Sequence, residues 1–148
     1  MLKTKCYTNT IWHNYWDPSV DEEWVLNYLT EYKSTWPNIR PEIIPATKEG
    51  EEISSFTLRS LTYGQLNKID NMEGLAKLKE ICAYGLSDWS GLYNEDGSKL
   101  VPKFTRDDLG EKLTPQSVDM LSFFGFTDLA LTNVLAVQIM SISRSLRR

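Results

Sequence analysis

Histidine and cysteine are scarce in this 148-residue chain, with one and two residues respectively. His13 alone cannot build a multi-histidine metal site and leaves a single candidate for a histidine base. Cys6 and Cys82 lie far apart with no C-x-x-C spacing, so zinc-ribbon and thioredoxin-like readings fail and both read as free thiols. No G-x-G-x-x-G, Walker, G-x-S-x-G or H-E-x-x-H pattern occurs, so nucleotide binding, serine hydrolysis and zinc proteolysis have no positive signal. Basic charge is short as well: 16 Lys and Arg against 20 Asp and Glu give −4, which does not suggest a nucleic-acid-binding face. The most apolar run, 129–143, is bounded by Asp128 and Arg144 and interrupted by Thr132, Asn133, Gln138 and Ser141. A membrane span wants about 18 or more mostly apolar residues, so this run reads as a core helix. The opening MLKTKCYTNT lacks the basic-then-apolar form of a secretory signal, and synthesis in a reducing compartment is expected.

What remains is an ordinary globular composition, 41% hydrophobic and 24% charged, in a chain long enough to bury a real core. Ser19 with Glu22 forms a capping-box pattern, which predicts a helix over 20–33 carrying Trp24, Tyr28 and Tyr32. Pro37, Pro41 and Pro45 then deny helix and predict an extended connector. Phe56 and Leu58 alternate with Thr57 and Arg59, which predicts a strand within 52–61. Thr62 with Gln65 caps a short helix ending near Asn71. Leu75, Leu78, Cys82 and Leu86 stripe a helix over 73–84, with Gly85 as its C-cap. A turn-rich stretch, 87–104, follows. Thr105 with Asp108 predicts a short capped helix, Thr114-Pro115 opens another that stops at Gly125, and Thr127-Asp128 starts the last.

The expected fold is therefore α+β, mainly α: a helical domain with a short strand or hairpin element and an extended N-terminal arm. Residues 1–50 form the aromatic arm, helix and proline-rich spacer, and 51–148 the mainly helical core. Asp107 and Asp108 are adjacent and cannot face each other as a dyad on a helix, so they and Glu111 read as caps and a solvated face. The Asn94 to Gly97 sequence lacks calcium-loop ligands and reads as a turn. Two features stand out as partner-binding candidates. Tyr7, Trp12, Tyr15 and Trp16 load the first residues with rings, which either anchor in pockets of another protein or wrap the chain's own domain. Arg144, Arg147 and Arg148 gather at the negative end of the last helix, for dipole compensation or for an acidic partner.

From about 53 to 142 the order of motifs resembles the tail assembly chaperones of long-tailed bacteriophages. The resemblance rests on Phe56-Thr57-Leu58-Arg59-Ser60-Leu61-Thr62, a helix ending in Gly85-Leu86, a tryptophan turn Ser87-Asp88-Trp89-Ser90-Gly91-Leu92, an Asp96-Gly97 turn, a Phe104-Thr105 helix start and a final helical pair. It implies a small, non-enzymatic protein without metal or cofactor, acting in the host cytoplasm. Its partners would be phage structural proteins (tape measure, tail or capsid subunits), with homo-oligomers allowed and no membrane or nucleic acid. The aromatic arm and proline spacer keep a resident virion component, in capsid, neck or tail, as the alternative. On this division, deletion of 1–18 should leave a folded core.

Overall fold

The computed structural model describes residues 10–14, 17–32, 43–122, 124–126 and 129–145. They form a mixed α+β fold. Strands β1 (Thr10–His13), β2 (Ser55–Leu58) and β3 (Leu86–Ser90) make an antiparallel sheet with β2 at its centre. The register sets Trp12 opposite Phe56 and Phe56 opposite Trp89. Cross-strand partners share a face, so three rings cross the sheet in one row. Trp12 and Phe56 are 0% exposed and their centroids lie 6.0 Å apart.

Of the two readings open for Trp12, its role as a partner anchor gives way to the other: the ring belongs to the chain's own core. Nor does a boundary at residue 50 separate β1 from that core. Asp17 reinforces the join by accepting from Ser54 N at 3.0 Å and Ser54 Oγ at 2.6 Å, while Asn14 N donates to Ser54 O at 2.9 Å. Residues 43–50 run beside the same segment, through a Val20–Thr47 bridge. Helix α1 (Glu22–Tyr32) starts later than the Ser19 pattern predicts, because Asp21 Oδ1 accepts from Glu23 N at 3.0 Å and provides the cap. Trp24 and Tyr28 stack on it at 5.4 Å.

Helix α2 (Tyr63–Asp70) has the predicted capping box from Thr62 and Gln65, and ends at Asn71. Helix α3 (Gly74–Gly85) lies where expected, but Leu75 is exposed and burial concentrates in its last turn, at Ile81, Cys82, Ala83, Tyr84 and Gly85. That turn is enclosed because α5 (Leu131–Ser145) packs along α3 and Arg59 closes its end. Arg59 N donates to Gly85 O at 2.8 Å and Arg59 Nε to Tyr84 O at 2.6 Å, which satisfies helix-terminal carbonyls. Gly85 therefore is not a left-handed cap. The chain passes straight into β3, and the expected tryptophan turn is a strand.

What Gly85 supplies is room. A Cβ there would lie 2.5 Å from Ile139 Cγ2. Gly85→Ala should cost about 1–3 kcal/mol by overpacking. In an Ile139→Ala background most of that cost should vanish, and denaturant unfolding of the four proteins would show additive costs if the contact did not exist.

The Thr105–Asp108 segment departs most from expectation. It is a hairpin of β4 (Phe104–Asp107) and β5 (Gly110–Leu113), not a helix. Asp107 Oδ1 accepts from Leu109 N at 2.8 Å and Gly110 takes φ +122°, so the residues of a would-be cap instead close a tight turn. Helix α4 (Pro115–Leu121) begins as predicted, with Thr114 accepting from Ser117 N and Pro115 in the first turn. A two-residue pair, β6 (Gly125–Phe126) and β7 (Leu129–Ala130), precedes α5.

Candidate functional site

Of the residues singled out for partner binding, Tyr7, Tyr15, Trp16, Arg147 and Arg148 lie outside the described residues. Arg144 falls within α5, and Trp12 is enclosed. The structure instead displays two other features, one polar and one apolar.

The polar feature centres on Tyr84, which is fully buried. Its hydroxyl donates to Asp107 Oδ2 and accepts from Lys68 Nζ at 3.2 Å. Lys112 Nζ lies 4.9 Å from the ring centroid and 2.5 Å from Glu80 Oε1. Four charged side chains from α2, α3, β4 and β5 thus surround one phenol, two of each sign. Burial, then the hydrogen bond to Asp107 and the charges of Asp107 and Glu80, push the Tyr84 phenol up from its ordinary value. A phenol held protonated is no general base near neutral pH. The cluster fastens the β4–β5 hairpin to the helices.

Asp107 shows how that clamp responds to acid. The Tyr84 hydroxyl holds its carboxyl below the ordinary value against partial desolvation, helped by Leu109 N–H, Lys112 and Lys68. A depressed folded-state pKa adds stability above the ordinary carboxylate range, and that stability is lost as pH falls through the depressed value. Because the side chain keeps 34% of its exposure, solvent limits the contribution to on the order of 1 kcal/mol. Asp107→Asn should therefore destabilise at pH 7 and converge with the parent at a pH below the depressed value, where both carry a neutral group. An equal cost at both pH values in urea unfolding would show that the charge contributes nothing. Asp17 titrates in the same range: burial raises its pKa, yet the bonds from Ser54 and Ser19 outweigh it and lower the net value. It is common to both proteins and cancels in the comparison.

Cys82 is 0% exposed, donates to Thr132 O at 3.4 Å and is pushed up to about 12 by burial, so it cannot serve as a thiolate nucleophile. Among the described residues no group of three His, Cys, Asp or Glu side chains could hold a metal ion, and no helix is long and apolar enough to cross a membrane.

The apolar feature is an open groove of about 360 Å³ lined by Tyr93, Asn94, Glu95, Leu100, Met120 and Phe124. Its walls are set by the fold. Leu100 is held by its N–H to Leu92 O at 2.9 Å and by the Trp89 indole donating to its carbonyl at 2.8 Å. Tyr93 bridges to Lys99 and donates to Glu52 Oε2 at 2.9 Å. Met120 projects from α4, whose buried face is already filled by Ser117, Val118 and Leu121. Tyr93 remains 42% and Met120 37% exposed, so two large side chains stand open to solvent beside the half-buried Leu100 and Phe124. A smaller pocket of about 230 Å³ between α3, β5 and α4 is crossed by Lys79–Asp119 at 3.0 Å and edged by the Glu80–Lys112 pair, so its charges are matched.

The groove was not singled out from the sequence. Met120 lies off the buried face of α4, which is a local signal for an outward side chain, whereas Phe124 follows the helix, which ends at Leu121 rather than running on to Gly125. Tyr93 and Leu100 reach them by tertiary folding alone.

Comparison with protein-family models, with curated proteins and with solved structures returns no match.

Proposed function

We propose that this chain is a non-enzymatic bacteriophage assembly protein that acts through protein contacts, in the manner of a tail assembly chaperone. The observation that carries the reading is the open groove with exposed Tyr93 and Met120 beside Leu100 and Phe124. Aromatic residues and Met are enriched at interfaces, and Met adapts to irregular partners. The order of motifs from Phe56 to the last helix adds the resemblance. On this reading the molecule is mainly helical, and the protein works in the host cytoplasm during assembly.

Quantitative mass spectrometry of infected cells and of purified mature particles, against the major capsid protein, tests it. Abundance in cells with absence from particles is expected. Stoichiometric presence in particles would make the chain a resident capsid, neck or tail component. Absence from both would overturn the reading.

A further inference from the structure

We propose that the Tyr93–Met120 groove takes a basic amphipathic segment of a partner protein, its large apolar side chains lying in the groove and its flanking Lys or Arg meeting an acidic rim. This partner class rests on the protein-contact reading above and narrows it.

The apolar half of the argument is the lining itself. Tyr93, Leu100, Met120 and Phe124 provide aromatic, aliphatic and thioether surface in one concavity. About 360 Å³ sits at the low end of small-molecule pockets, which suits a few side chains of a larger partner better than a cofactor. The charged half is complementarity. Glu95 lines the groove, Asp96 follows it in the turn, and Glu52 accepts from the Tyr93 hydroxyl at 2.9 Å. Lys99, opposite Tyr93 in the bridge, offsets one of these three carboxylates. Asp119, next to Met120, is already matched by Lys79 at 3.0 Å. The rim is therefore net acidic around an apolar floor. Such a surface rejects an acidic amphipathic segment and steers a basic one.

The test is calorimetric titration of the full chain with two synthetic peptides of equal length and identical Leu spacing, one carrying Lys and the other Glu at its polar positions. The Lys peptide should bind at least tenfold tighter at low salt, with affinity falling as salt rises. Glu95→Lys should erase most of that preference, and Met120→Asp should abolish binding. Met120→Asp also adds a negative charge, so a peptide held by net charge alone would bind it more tightly, and that result would overturn the proposal. Should Met120→Asp fail to fold, Met120→Gln makes the same comparison without a charge, and unchanged affinity there would overturn the proposal too. If both peptides bind alike and both are lost in Met120→Asp, the groove remains a protein contact and the basic partner is refuted. If neither peptide binds, the proposal and the groove reading fall together. Self-association in sedimentation velocity that Met120→Asp removes would place a second copy in the groove and refute the partner class.

Discussion

Deletion of residues 1–18 should abolish cooperative thermal unfolding. The truncation removes Trp12, which is 0% exposed and packs on Phe56, and strips β2 of its β1 partner. It also removes Asp17 and Asn14, leaving Ser54 without the carboxylate and amide that bind it. Loss of a buried Trp side chain alone costs about 3–5 kcal/mol, and a domain of this kind has roughly 5–15 kcal/mol in total. Trp12→Ala in the full chain should show the single-ring part of that loss as a lower denaturation midpoint. Near-UV circular dichroism and calorimetry of the truncation decide the matter: an undiminished, cooperative transition would mean that β1 adds nothing to the core, as the division at residue 50 expects.

Trp89→Ala is the second large effect, also expected at about 3–5 kcal/mol. The ring is 6% exposed, pairs across the sheet with Phe56 and donates to Leu100 O at 2.8 Å. Trp89→Phe separates the two contributions, because it keeps most of the apolar surface and loses the indole donor, at a cost on the order of 1–2 kcal/mol. Since Leu100 lines the groove, the Phe variant should remain folded yet bind the Lys peptide more weakly. A Trp89→Ala protein with an unchanged melting temperature would remove Trp89 from the core and leave it to a partner or to no role.

Phe56 to Thr62, the first of the motifs behind the proposed phage resemblance, serves the fold. Phe56, Leu58 and Leu61 are buried, Arg59 closes the end of α3, and Thr62 caps α2. Leu61 N also donates to Ser143 Oγ at 2.9 Å, linking this stretch to the last helix. These residues hold the fold together, and the groove lies elsewhere.

Local chemistry was legible in the sequence at two helix starts and along one strand, though the Ser19–Glu22 pattern gave way to a cap from Asp21. Thr62 with Gln65, and Thr114 with Pro115, begin helices because a side-chain oxygen reaches an orphan N–H a few residues on. Alternation along 55–58 marked which side chains of β2 face inward, and Cys82 fell on a buried face as its spacing implied. Where two local solutions compete, tertiary contacts chose. Thr105–Asp108 fits a cap pattern and a hairpin equally, and the hairpin prevails where Asp107 meets Tyr84 and Lys112 meets Glu80. Gly85 could have been a left-handed cap, but Arg59 satisfies the carbonyls and Ile139 occupies the space a side chain would need. Trp12 could equally have pointed to a partner. Pairing with Phe56, 44 positions along the chain, put it in the core, and such a pairing leaves no mark on a local pattern because its energy comes from apolar burial between distant segments.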